Sequence, residues 1–128
     1  MTEHAVVDRF LDAIERADID HCDAWAPGAT LAATVPNWRF HRTGADAIRE
    51  TYRGWFADPG SFERLRREPV SGGEVVEYDL TWWEDGVPHL AHHVHLLTVA
   101  DDRIVADVVL CGGRWSAGLL AEMEAADA

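Results

Sequence analysis

Val6, Val7, Phe10, Leu11 and Ile14 recur at three- and four-residue steps, with Asp8, Arg9, Asp12 and Glu15 between them. That spacing lines one face of a helix and predicts one over about residues 3–17. Asp20 is placed to cap a short second helix, which Ala26-Pro27-Gly28 should end because proline and glycine cannot continue the ladder. Residues 29–35 read as a strand. Thr43-Gly44-Ala45-Asp46 has the spacing of a capping box, and Ile48, Tyr52, Trp55 and Phe56 follow on one helical face until Asp58-Pro59-Gly60 breaks it. From residue 62 the period falls from about 3.6 to 2. Four extended segments, roughly 62–70, 74–84, 89–99 and 103–111, are joined by Ser71-Gly72-Gly73, Asp85-Gly86 and Asp101-Asp102, the pattern of an antiparallel meander. After Gly112-Gly113, Ser116 can cap a last short helix, with Trp115 and Leu120 placed as a hydrophobic staple.

The order of elements predicts an α+β domain in which helices cover one face of a long antiparallel sheet. At 128 residues the chain suits one domain, 1–128, with no internal repeat or linker. Its 48% hydrophobic content and six tryptophans supply a core. The formal charge of −12 would repel a phosphate backbone, and the basic cluster Arg64, Arg66, Arg67 is flanked by Glu63 and Glu68, so nucleic acid is not an expected partner. No apolar run approaches the ~20 residues that span a bilayer, and the first residues do not read as a signal, so a soluble, cytoplasmic protein is expected. Cys22 and Cys111 lie far apart without a CxxC and read as buried thiols.

Strand alternation sorts the meander into two faces. One is expected to carry Asp79, Thr81 and Trp83, then Ala91, His93, His95 and Leu97, then Asp107, Val109 and Cys111. The other takes Tyr78, Leu80, Trp82, His92, Val94, Leu96, Ala106, Val108 and Leu110. Asp107 joins His95 only if the Asp101-Asp102 hairpin is a three-residue loop with Asp102 left-handed; a two-residue turn inverts the register. A histidine and an aspartate in one apolar pocket form a plausible acid/base pair, since the carboxylate supports the imidazolium and fixes its tautomer. The same pair can also be structural. His93-Val94-His95 with Asp107 could ligate a metal, but no further ligand stands at a defined spacing, so neither metal nor cofactor is expected. Asp79 could line the pocket, and Trp25, Trp38, Tyr52, Trp55 and Trp83 could wall it for a flat hydrophobic ligand. Asn37 and His41, between the first strand and the third helix, are candidate ligand contacts at its mouth.

The order of elements, the stretch Gly44-Ala45-Asp46-Ala47-Ile48-Arg49-Glu50-Thr51-Tyr52-Arg53 and the hairpin Val99-Ala100-Asp101-Asp102-Arg103-Ile104 resemble the nuclear transport factor 2-like superfamily, which includes ketosteroid isomerases and SnoaL-like polyketide cyclases. The resemblance implies a cone-shaped, cystatin-like barrel of N-terminal helices on a curved antiparallel sheet. It implies that the histidine face is the concave one, and that the other packs on a second copy in a homodimer; left in water, that face would be an unusually large apolar patch. Ketosteroid isomerases have a tyrosine, an aspartate base and a protonated aspartate where this chain has Phe10, Ala33 and His95, which argues against their mechanism. SnoaL-like cyclases are similar in placing an aspartate on the last strand and a histidine on the one before, positions matched by Asp107 and His93. That likeness implies Asp107 as acid/base, His93 tuning it and His95 binding a substrate oxygen. The activity implied is cofactor-independent cyclisation, isomerisation or dehydration of a hydrophobic polyketide-like or aromatic carbonyl compound. A non-catalytic module for a small molecule or a protein partner is the rival. It would hold His93, His95 and Asp107 bonded to one another and shielded from the pocket.

Overall fold

The computed structural model describes residues 3–128. The first helix, α1, spans Ala5–Arg16 and buries Val6, Val7, Phe10, Leu11 and Ile14. Each such side chain contributes roughly 1.5–3 kcal/mol when removed from water. The start of α1 is tied down by Glu74, which is fully buried and accepts from the His4 backbone N–H at 2.6 Å and from Arg67 Nε at 2.8 Å. A single 3-10 turn, Ile19–His21, follows. Asp20 does not cap it; the carboxylate instead pairs with Arg53.

Ala26-Pro27-Gly28 ends no helix. It lies inside β1 (Trp25–Val35), where five residues of β1 span the distance that two residues cover on its parallel neighbour. Proline and glycine are tolerated there because the ladder is interrupted. Pro36-Asn37 then makes a two-residue turn with Asn37 at φ 61°, and the chain returns as β2 (Trp38–Thr43), a strand not anticipated from the sequence. Thr43 is consequently paired with Thr30 in the sheet and caps nothing. Gly44 occupies the cap position of α2 (Ala45–Trp55) at φ 99°, with no side-chain cap. The apolar stripe of α2 is as expected, with Ile48, Tyr52 and Phe56 buried.

The meander comprises β3 (Gly60–Val70), β4 (Gly73–Glu84), β5 (Val87–Ala100) and β6 (Arg103–Ser116). The six strands form one sheet in the order β2-β1-β6-β5-β4-β3, with only β1 and β6 parallel. Helices α1 and α2 pack on its concave face. Ser116 accepts from the Leu119 backbone N–H at 3.2 Å and caps α3 (Ala117–Asp127), as its position suggested.

Register corrects two expectations. Asp85-Gly86 is a two-residue turn with both residues at positive φ, and Glu84 pairs with Val87. Tyr78 therefore faces His93, and Val76, Tyr78, Leu80 and Trp82 point inward with the histidines. Asp79, Thr81 and Trp83 point outward with His92. The second hairpin is also a two-residue turn, with Asp101 and Asp102 both left-handed and Ala100 opposite Arg103. Alone it would put Asp107 on the outer face. A bulge at Val105, where Thr98 pairs with Ala106 but Val99 with Ile104, restores the phase and turns Asp107 inward opposite Leu97. Among the described residues, no helix is long and apolar enough to cross a membrane.

Candidate functional site

His93, His95 and Asp107 are buried on the concave face, 3%, 0% and 1% exposed. A charge so deeply buried is costly unless hydrogen-bonded. Asp107 accepts on both oxygens: Tyr52 donates its hydroxyl to Oδ2 at 2.5 Å, and His95 Nδ1 lies 3.0 Å from Oδ1. His95 Nε2 is 2.8 Å from the Tyr78 hydroxyl, which is in turn 2.9 Å from His93 Nδ1. Five side chains from α2, β4, β5 and β6 thus form one buried chain, Tyr52–Asp107–His95–Tyr78–His93.

Its polarity follows from the carboxylate, which only accepts. Neutral His95 must carry its proton on Nδ1, leaving Nε2 to accept from Tyr78; the Tyr78 oxygen then accepts from His93 Nδ1–H, and His93 Nε2 is left with a free lone pair. That nitrogen takes no hydrogen bond from the described residues. His93 lines a cavity of about 360 Å³, with Val35, Pro36, Gly54, Trp55, Leu80, Trp82, Ala91, Cys111, Gly113 and Arg114. Asp107, His95, Tyr52 and Tyr78 lie behind that wall. Burial pushes the hydroxyl pKa values of Tyr52 and Tyr78 well up, and the negative charge of Asp107 adds to both, so both tyrosines stay protonated.

Burial also lowers the His93 pKa to about 3, and the Arg114 guanidinium adds to the effect, as would a proton on His95 or His92. A free imidazole titrates near ~6.5, so below that pH the unfolded chain takes up a proton that folded His93 refuses. This stability is complete above pH ~6.5 and is lost as pH falls toward 3, roughly 2 kcal/mol of it by pH 5. Urea unfolding at pH 7 and pH 5 should show His93→Gln losing less stability than wild type over that interval; equal losses would remove His93 as the cause.

Of the aromatic and polar residues expected around the ligand, Trp55 lines the cavity, with its ring 5.3 Å from that of His93. Trp25 is core, packed edge-on against Phe10 at 5.4 Å. Tyr52 is sealed against Asp107. Asn37, Trp38 and His41 are exposed on the β1–β2 hairpin and do not line the cavity, although Val35 and Pro36 of the same hairpin do. Asp79 binds His92 on the outer face at 2.7 Å, and Trp83 is 66% exposed. The two-residue turn between β4 and β5 accounts for both, and it hid Tyr78, Leu80 and Trp82, which sequence reading assigned to the far side. Arg114 was also missed. Gly112-Gly113 does not end β6 but bulges it, so that Ala91 pairs with Arg114 and the guanidinium turns inward. A larger hollow of about 530 Å³ lies between β3, the β4–β5 hairpin and α3, but contains none of the buried chain.

Known structures share this architecture. A candidate isomerase from Bacillus subtilis superposes with a TM-score of 0.70 at 15% identity, over 84% of each chain. A ketosteroid isomerase-like protein from Catenulispora acidiphila, solved with trimethylamine, gives 0.63 at 14%, over 84% of this chain and 85% of that one. The chain has the nuclear transport factor 2-like fold. An epoxide hydrolase of the LEH-like type from M. tuberculosis shares it, with a TM-score of 0.62 at 17% identity, over 83% of this chain and 79% of that one. No family model and no curated protein sequence matches the chain. Phe10 stands 5.4 Å from the His95 ring, edge-on, and Ala33 is buried in the same hydrophobic core as Phe10.

Proposed function

We propose that the protein is a cofactor-independent enzyme that moves a proton on a small hydrophobic, polyketide-like or aromatic carbonyl compound, in a cyclisation, isomerisation or dehydration. One observation carries this reading: His93 lines the cavity with an Nε2 that has no partner among the described residues, while its Nδ1 is wired through Tyr78 and His95 to Asp107. As His93 Nε2 takes a proton from carbon beside the carbonyl, Nδ1–H passes to Tyr78, and Tyr78 gives its own proton to His95 Nε2. The positive charge then rests on His95, against the Asp107 carboxylate, and not on His93, whose cation burial opposes. Running the chain backwards delivers a proton to a second substrate atom. His93 is the catalytic residue in this scheme; Tyr78, His95, Asp107 and Tyr52 hold and tune it. The test is exchange of α-hydrogens of apolar aryl ketones with deuterated water, read by mass spectrometry. Exchange above the uncatalysed rate is expected.

A second reading rests on the same geometry. His95 and Asp107 are bonded to each other and shut off from the cavity, as in a non-catalytic binding module. Ketone binding without exchange anywhere in the panel would establish that reading and sink the first.

We also infer that a second copy of the chain covers the outer sheet face. Leu96, Val108 and Leu110 stand half-exposed in the middle of that face on a chain of charge −12. An apolar patch there fits a self-complementary two-fold contact. Light scattering should find a dimer, and Leu110→Arg should convert it to monomer; a monomeric wild type would overturn the assignment.

A further inference from the structure

Arg114 supplies the cavity with a feature that proton transfer does not use. Three residues lining the cavity carry ionisable side chains, His93, Cys111 and Arg114, and none is a carboxylate, although the chain carries 23 acidic residues against 11 basic ones, all of them arginines. His93 is neutral, and burial pushes the Cys111 thiol up, so the arginine is the charge that a bound molecule meets.

The backbone is shaped to put it there. Uninterrupted pairing from His93–Cys111 onward would set Gly113 opposite Ala91 and leave residue 114 on the outer face. The bulge between these pairs advances β6 by one residue and brings Arg114 inward. Gly113 makes this possible at φ 126°, a conformation that side chains resist, and an added Cβ would come within 3.1 Å of the Trp115 indole. The guanidinium is then held in place, with its carbon over the Trp82 ring 4.8 Å from the centroid and Nη2 bonded to Glu84 Oε1 at 3.0 Å. One nitrogen is occupied by Glu84. Nε and Nη1 form no hydrogen bond with the described residues, and the side chain is 46% exposed.

We propose that Arg114 anchors an anionic group, so that the ligand is a compact hydrophobic carboxylate or a comparable acid, its apolar body between Trp55 and Trp82 and its acid group on the guanidinium. The planar fork suits a carboxylate, and a ligand anion can share the guanidinium with Glu84. This deepens the reading of the cavity as the substrate site, and rests on it only for where the ligand sits. A cationic ligand is disfavoured by the same residue.

Calorimetry with 2-naphthoate and its neutral counterpart 2-naphthamide tests this without requiring turnover. Wild type should bind the acid roughly tenfold more tightly than the amide, the scale of one charge-assisted contact near solvent. Arg114→Gln should abolish that preference, bringing the affinity for the acid down to that for the amide or below, and continued binding of 2-naphthamide reports an intact cavity. Glu84→Gln should tighten acid binding, because Glu84 competes for the same guanidinium. His93→Gln should keep the preference for the acid, so the anchor stands or falls separately from proton transfer. Equal affinity of wild type for the two probes, no binding of the acid, or a preference that survives Arg114→Gln overturns the assignment.

Discussion

Replacing His93 by glutamine is expected to lower the rate of α-hydrogen exchange ~10²–10⁴-fold, the range over which a positioned general base acts. No other cavity group can replace it. The Cys111 thiol is raised by burial and its thiolate is scarce at neutral pH, and Arg114 accepts no proton there. Glutamine retains an amide able to bond Tyr78 and fills much of the ring's space against Trp55 and Phe56, so the cavity survives the change. The loss should therefore fall on kcat, with binding of 2-naphthamide little altered. Exchange that persists within tenfold of wild type in His93→Gln would show that His93 is a wall residue and the histidine–aspartate set a structural network.

The pairing of His93 with His95 was legible because alternation needs no knowledge of turns. Everything that crossed a hairpin depended on a single residue of loop length. Asp107 reached the predicted face, but through a two-residue turn and a bulge at Val105 instead of a three-residue loop. Nothing in Ile104-Val105-Ala106 distinguishes a bulged valine from a paired one; the burial of Asp107 against Tyr52 and His95 selects the phase. Tyr78 was lost for the opposite reason. Asp85-Gly86 has the composition of a two-residue turn, and such a turn pairs odd positions with even ones, which should have set Tyr78 opposite His93. Pro36-Asn37 was likewise a readable turn, with proline followed by a residue that accepts positive φ, and it would have disclosed β2. The helices were the most legible part, since the α1 and α2 stripes repeat over several turns and their burial faces follow from spacing alone.

Tyr78→Phe should lower exchange about 100-fold although the hydroxyl it removes never meets the cavity. Among the described residues that oxygen is the one hydrogen-bonded link between His93 and His95: without it His93 Nδ1 and His95 Nε2 both lose their partner, and a proton taken at His93 must stay on a ring whose pKa is held near 3. Asp107→Asn should cost at least as much, because the amide offers no negative charge to the His95 cation and can leave that ring in the wrong tautomer. An unpartnered buried ring nitrogen costs roughly 1–3 kcal/mol of stability, so both variants should also melt earlier. Stability alone therefore does not separate a relay from a scaffold. Additivity does. If proton transfer runs through Tyr78 to His95 and Asp107, either change breaks the same route, and the double variant should exchange no more slowly than the worse single one by more than a few-fold. If Asp107 instead acts on the substrate directly, Tyr78→Phe should leave exchange near the wild-type rate and its small cost should multiply with that of Asp107→Asn. A sub-multiplicative cycle confined to kcat, with KM unmoved, is the signature expected of the wire, because all its members behind His93 lie outside the cavity that the substrate occupies.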